Sequence, residues 1–222
     1  LTAGSFRTKS ALYKSLDGGT TWSNDNYGLN PFVRTLVVHP TQPATIYAAT
    51  LRGAFRSTDG GRNWSSINNG LTAQTIFTII IDPSTPSTLY VASSDLFATT
   101  VGVFKSTDGG NTWNLKTTGL PSSNQVLSLA IDPTDPNTLY AGLQSGPGSR
   151  LYKTTNGADN WAAVNGTSTP SAIWLSIDPH NHTTLFAAQD LPGGAIFRSV
   201  DSGVTWEGVG TAQFGNNGKF VA

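Results

Sequence analysis

The 222-residue sequence contains no cysteine, no methionine, a single glutamate (Glu207) and few charges of either sign. The lack of cysteine excludes disulfides, thiolate nucleophiles and Cys-ligated metal sites. Charged residues make up 12% of the chain, 13 basic against 13 acidic, so nothing favours binding to nucleic acid or to an anionic membrane. No stretch approaches the ~18 apolar residues of a spanning helix, so membrane insertion is not expected. No secretory leader is legible, and the missing initiator methionine fits a processed mature form or an excised piece. A sulfur-free composition rich in Ser, Thr, Asn and Gly suits a secreted protein, extracellular or periplasmic. Asn63-Trp64-Ser65, Asn165-Gly166-Thr167 and Asn181-His182-Thr183 fit the glycosylation sequon, which carries meaning only in a glycosylating host.

What is present instead is glycine (24 residues), proline (12) and a repeat. The segments "KSLDGGTTW" (14–22), "RSTDGGRNW" (56–64), "KSTDGGNTW" (105–113), "KTTNGADNW" (153–161) and "RSVDSGVTW" (198–206) place Trp22, Trp64, Trp113, Trp161 and Trp206 at intervals of 42, 49, 48 and 45. A second motif runs in phase: "LVVHPTQPATIYAAT" (36–50), "IIIDPSTPSTLYVAS" (79–93), "LAIDPTDPNTLYAGL" (129–143) and "LSIDPHNHTTLFAAQ" (175–189). Two motifs at one period identify a repeat protein. Each repeat reads as four strands, and one repeat illustrates all: 76–81, a Pro-bearing turn at 82–87, 88–92, 101–106, the Asp-Gly-Gly turn, and 112–116. The first strand is a near-continuous apolar run, as for a strand buried on both faces. Asp-Gly between short strands is a hairpin signal, read here as a two-residue turn that needs positive φ. Four-stranded units of ~40–50 residues in series predict an all-β fold, a β-propeller of antiparallel blades filling residues 1–222 as one domain.

The start, "LTAGSFRTKSALYKS", aligns with "LYAGLQSGPGSRLYKT" (139–154), so the chain opens on the second strand of a blade. "GKFVA" (218–222) falls where a first strand is due. Pairing of the two ends would close a five-bladed ring and remove exposed edges. The alternative is a fragment of a longer ring.

With Ser-x-Asp-x-Gly-x-Thr-Trp complete at Ser15/Asp17/Gly19/Thr21/Trp22, Ser106/Asp108/Gly110/Thr112/Trp113 and Ser199/Asp201/Gly203/Thr205/Trp206, the chain resembles the Asp-box, or bacterial neuraminidase repeat, propellers. Asp59 and Trp64 belong to a box with Asn63 in place of Thr; the box of Trp161 departs furthest, with Thr154, Asn156 and Ala158. The "IDPxxPxTLYAG" segment looks like the blades of oligoxyloglucan-type glucanases and of secreted bacterial repeat proteins. The resemblance implies a propeller over the whole chain and leaves function open, since one fold hosts many sites.

The boxes themselves read as structural. Each supplies one carboxylate, too few oxygens for a cation, so no metal and no cofactor is expected. The Asp accepts bonds from the turn's own N–H groups, and the Trp, burying ~200 Å², staples the outer strand to neighbouring blades. Lys14, Arg56, Lys105, Lys153 and Arg198 precede the boxes and read as solvated packing residues spread round the rim. Asp82, Asp132 and Asp178, with His39 in the equivalent place, read as turn caps. A sialidase would need three clasping arginines, a Tyr nucleophile with a Glu partner, and an acid/base Asp. Glu207 directly follows Trp206 on an outer strand and no Arg-Ile-Pro segment exists, so that activity is not expected.

Residues outside the repeat remain. The strand-two to strand-three loops and the inter-blade loops place Asp95, Asp190, Gln144, Arg7, Lys9 and Arg52 on one face, with Asp25, Tyr27, Asn30 and Asn124. Asp95 and Asp190 are the carboxylates of those second loops and the catalytic candidates, because glycoside hydrolysis needs two carboxyls ~5–9 Å apart. Trp174 stands where other first strands carry Thr35, Thr78 and Ser128, so it plugs the core or stacks on a sugar. Few loop aromatics (Tyr27, Phe32, Phe97, Phe214) accompany it. The expectation is therefore a non-catalytic module that binds a protein or glycan through its variable loops. A glycoside hydrolase is the alternative, and a structural subunit that self-assembles through its terminal strands is a third reading.

Overall fold

The computed structural model describes residues 2–3, 12–24, 26–29, 32–93, 102–121, 125–144, 150–164, 174–188 and 196–209. The chain divides into two compact units, Leu1–Thr100 with Phe104–Leu115, and Val101–Val103 with Lys116–Ala222. The described residues are all strand and turn.

A two-stranded sheet, β1 (Thr2–Ala3) and β2 (Leu12–Tyr13), comes first. Four-stranded antiparallel sheets follow in chain order. They are β3 (Val33–Val38), β4 (Ile46–Thr50), β5 (Gly53–Ser57) and β6 (Ser65–Ser66); β7 (Ile76–Ile81), β8 (Leu89–Ser93), β9 (Gly102–Ser106) and β10 (Asn114–Leu115); β11 (Val126–Ile131), β12 (Leu139–Leu143), β13 (Leu151–Thr154) and β14 (Ala162–Ala163); and β15 (Trp174–Ile177), β16 (Leu185–Ala188), β17 (Ile196–Ser199) and β18 (Glu207–Gly208). These are the expected four-stranded repeats. The fivefold count and ring closure rest on residues 218–222, which lie outside the described residues.

The second strands explain the packing. Residues two apart share a face of a strand, and β4 is buried on both. In the first unit Ile46 and Ala48 pack with Leu12 and Trp64, while Tyr47 and Ala49 pack with Ile76, Ile79, Leu89, Val91, Phe104 and Trp113. Sheet thus stacks on sheet through alternating side chains. In the second unit Tyr140, Leu151, Val164 and Leu185 form the corresponding core, with Trp206 against it.

The Asp-Gly turn is longer than a two-residue hairpin. Lys105 pairs with Asn114, leaving residues 106–113 in the loop. Buried Ser106 holds it: its Oγ donates to Asp108 Oδ1 (2.7 Å) and accepts from the N–H groups of Asp108 (3.3 Å) and Gly110 (2.9 Å). Asp108 then accepts from the N–H (2.9 Å) and hydroxyl (2.6 Å) of Thr112. Gly109 and Gly110 take φ of 70° and 88°, the left-handed region that a side chain disfavours. The same bonds recur around Ser15, Ser57 and Ser199, and in weaker form around Thr154, where Ala158 is forced to φ 73°.

Candidate functional site

The carboxylates within the repeat are committed to structure. Bonds from Thr21, its hydroxyl first, hold Asp17 at a pKa of about 2; Thr112 and Thr205 do the same for Asp108 and Asp201, and Asn63, chiefly through its N–H, for Asp59. In the first turns, burial pushes Asp132 up, but N–H donors from Thr134 and Asp135 outweigh it and leave the group lowered. The N–H of His180 lowers Asp178. A general acid needs the opposite shift, so none of these suits proton donation to a leaving group near neutral pH. Asp82 caps its turn through the N–H groups of Ser84 and Thr85 (2.8 and 2.9 Å). His39 Nδ1 substitutes for that carboxylate, accepting from the N–H groups of Thr41 (3.3 Å) and Gln42 (3.1 Å).

The basic residues before the boxes do more than sit in solvent. Lys14 Nζ donates to the Gly60 carbonyl (2.8 Å) and Arg56 to the Gly109 carbonyl (3.0 Å), each in the turn of the next repeat. Arg198 pairs with Glu207 across β17 and β18 (Nε to Oε1, 2.9 Å), which uses the chain's one glutamate on an outer strand. Lys116 pairs with Asp159 at 2.6 Å. Among the described residues no three His, Asp or Glu gather as a metal site.

Trp174 opens β15 opposite Ala188. Its register equivalents are Thr35 opposite Ala49, Thr78 opposite Ala92 and Ser128 opposite Gly142. Those side chains are small for a reason visible at Thr35, whose Oγ accepts the Ile79 N–H (3.2 Å) and so ties β3 to β7. An indole cannot make that bond. Trp174 is half-buried and, with Ser176, Phe186, Ala188 and Ile196, lines a half-open cavity of about 100 Å³. The small Ala188 leaves the space, and the lining is mostly apolar.

Arg52 and Gln144 are exposed and lie at the matching loop ends of their own sheets, after β4 and β12. Tyr27 is 63% exposed but sits elsewhere: its N–H donates to the Arg62 carbonyl beside the Asp59 turn, the opposite end of the sheet from Arg52. Asn30, Asp95, Asn124 and Asp190 lie outside the described residues, as do Arg7, Lys9 and Asp25. By sequence Asp190 follows Ala188 of β16 by two positions, and Asp95 follows Ser93 of β8 by two. Arg34, an arginine outside the repeat whose partner the sequence does not give, stacks over Phe77 at 5.0 Å. Both are the extra residues of β-bulges, at register breaks between Val33 and Thr35 and between Ile76 and Thr78.

Three comparisons bear on this arrangement. The family model described as Sortilin, neurotensin receptor 3 (Sortilin-Vps10) matches residues 52–165. The oligoxyloglucan-reducing end-specific xyloglucanase of Emericella nidulans is 26% identical over 212 residues, covering 84% of this chain and 26% of that protein. Among solved structures, an ancestral GH74 enzyme matches with TM-score 0.73 and 24% identity, covering 94% of this chain and 30% of its own. The GH74 enzyme of Niastella koreensis matches at TM-score 0.69 and 24% identity over 90% of this chain and 34% of its own. The chain spans about a quarter of the curated relative and about a third of the solved enzymes.

These findings correct the functional expectation. A non-catalytic binding or scaffold module, or a structural subunit, is not what they favour, because the relative matched across most of the chain is an enzyme. Repeat regularity describes the scaffold alone, and a scarcity of loop aromatics in a stretch matching 26% of such an enzyme is no argument against hydrolysis.

Proposed function

The chain belongs to the Sortilin-Vps10 family, a β-propeller by fold, and from that premise we propose that it is a section of a secreted glycoside hydrolase acting on xyloglucan-type β-glucans. The repeat is assigned to the Asp-box class on its Ser-x-Asp-x-Gly-x-Thr-Trp turns. The match to a xyloglucanase over 84% of the chain is the observation that carries the activity.

The chemistry asks for a sugar platform and two carboxyl groups, one to protonate the leaving oxygen and one to act as nucleophile or base. Trp174 supports the first: its indole and the mostly apolar cavity beside it, with Phe186 and Ile196, offer the surface on which a pyranose face stacks. Asp95 and Asp190 are the carboxylates carried forward for the second. The boxes, the first turns, the Lys116 pair and the Arg198 pair account for the others among the described residues, with Asp135 bonded to Thr138 (2.7 Å). Arg52, Gln144, Asn30, Asn124 and Tyr27 are the polar and aromatic residues assigned to substrate binding.

The test is kinetic. Asp95→Asn and Asp190→Asn are each expected to lower kcat on xyloglucan oligosaccharides by about 10²–10⁴-fold. Unchanged rates in both would remove those assignments while leaving the activity standing. No hydrolysis by the unaltered protein at its natural length would remove the activity itself.

A further inference from the structure

The turns between first and second strands share a template, and one residue departs from it. Pro43, Pro86 and Pro136 stand four positions after the capping residues His39, Asp82 and Asp132; after Asp178 that place is taken by His182. The backbone keeps the same bonds. Thr184 N–H donates to the Asn181 carbonyl (2.8 Å) and Asp178 N–H to the Thr184 carbonyl (3.0 Å), as Thr138 does to Asp135 (2.8 Å) and Asp132 to Thr138 (3.0 Å). Proline in a compatible turn stabilises by stiffening the unfolded chain, so the histidine forgoes a small gain. Its imidazole supplies what a pyrrolidine ring cannot.

That ring reaches from the turn between β15 and β16 to the turn between β11 and β12. Nδ1 lies 2.7 Å from Thr134 Oγ1 and 3.4 Å from Asp132 Oδ1, and Nε2 lies 3.1 Å from the Pro179 carbonyl oxygen. The Thr134 hydroxyl is also 3.0 Å from Asp132 Oδ1. With 26% of the side chain exposed, the imidazole is mostly shielded from water. A carbonyl can only accept, so Nε2 carries a hydrogen. In the neutral ring Nδ1 is then bare, and the single Thr134 hydroxyl proton must serve either it or Asp132. In the imidazolium every proton has an acceptor. Nε2–H donates to Pro179, Nδ1–H to Thr134 and the Thr134 hydroxyl to Asp132, with the new charge beside that carboxylate.

We infer that His182 is a proton-operated clasp between these two turns, closed when the imidazole is charged and relaxed when it is neutral. Its range is about pH 5–8, where histidine changes charge. Asp132 stays ionised across that range. Burial pushes it up, but the N–H groups of Thr134 and Asp135, the Thr134 hydroxyl and the charge of His182 together lower it. Asp178 is lowered too, by the His180 N–H first and more weakly by charge on His180 and His182. His180 Nδ1 is exposed, 3.8 Å from Asp178, and Asp135 is held by the Thr138 hydroxyl. Bonds completed by protonation add stability on the acid side of the range, and that stability is lost as pH rises. Trp174 stands at the other end of β15, so the clasp holds the strand on which the cavity is built. The inference does not depend on the glycan reading.

Melting temperatures of the unaltered chain and of His182→Gln, followed across the range, test it; glutamine keeps the polar reach without titrating. The unaltered chain should melt roughly 2–4 °C above His182→Gln at about pH 5.5, the worth of about one charge-assisted bond, and within about 1 °C of it at about pH 8. The difference between the two chains is the readout because His39 works the other way. Its Nδ1 accepts the Thr41 and Gln42 N–H groups, and a proton there breaks that cap. Thr134→Val leaves His182 in place but removes its acceptor, and should erase the same pH dependence. His182→Pro, the residue of the other turns, should erase it as well. An advantage over His182→Gln that is constant or grows with pH overturns the proposal, and so does a pH dependence that survives intact in Thr134→Val.

Discussion

Ser106→Ala and Ser15→Ala remove the same three hydrogen bonds, and they should cost different amounts. In both turns the hydroxyl donates to the aspartate and accepts two N–H groups at nearly identical distances. Burial separates them. Ser106 is 0% exposed and Gly110 is buried, so the freed Gly110 N–H finds no water; Ser15 is half-buried and Gly19 is exposed. A buried polar group left unsatisfied costs about 1–3 kcal/mol, against about 0.5–1 kcal/mol where water replaces the partner. Ser106→Ala is therefore expected to lower the midpoint by roughly 2–12 °C and Ser15→Ala by roughly 1–4 °C, at about 2–4 °C per kcal/mol for a chain of this size, with Ser106→Ala about two to three times the more costly in the same conditions. Calorimetry on the two variants, with urea unfolding as a second measure, reads the difference. Equal losses would refute the claim that burial, and not the bond pattern, decides what each turn contributes.

Other consequences follow from the same geometry. Ser202 adopts φ 60° without being glycine, so Ser202→Gly should stabilise by about 1 kcal/mol in urea melts, with loss of stability the opposing outcome. Gly70→Ala forces a Cβ into the Trp113 backbone at φ 92° and should cost about 2–4 kcal/mol, whereas a neutral result would mean the contact relaxes freely. The box aspartates are held at about 2, below their unfolded value, so what they contribute is present above about pH 4 and lost as pH falls towards 2. Asp108→Asn should accordingly flatten the acid limb of a stability–pH curve, and an unchanged slope would contradict the assignment. Trp174→Thr, which restores the residue type of the other repeats, should weaken xyloglucan oligosaccharide binding with little change in stability; a large stability loss with unchanged binding would identify Trp174 as a plug of the core.

The repeat was legible because its signals are local. Asp, Gly and Trp at fixed offsets, and the apolar second strands, give sheet after sheet without knowledge of tertiary structure. Trp174 stood out by the same comparison, as the departure from Thr35, Thr78 and Ser128. What escaped the reading are contacts with partners about a repeat away. The bonds of Lys14 to Gly60 and Arg56 to Gly109 span 46 and 53 residues, so those bases looked like solvated rim charges. Gly28, Gly70 and Gly119, set against the backbones of Trp64, Trp113 and Trp161, did leave a trace, since each stands six positions after a tryptophan and precedes a leucine. Tyr27 and Arg52 are both loop residues by sequence, but Tyr27 pairs at the Asp59–Trp64 end of the sheet, which loop membership alone does not distinguish. The loops of Asp95 and Asp190 carry no repeat pattern, so sequence comparison within the chain gives only that they are exceptional.

The central claim is hydrolysis of a β-glucan, and product analysis tests it most directly. Xyloglucan oligosaccharides incubated with the protein at its natural length should yield shorter oligosaccharides with new reducing ends, and Asp190→Asn should abolish their release. Intact oligosaccharides after prolonged incubation with folded protein would contradict the account.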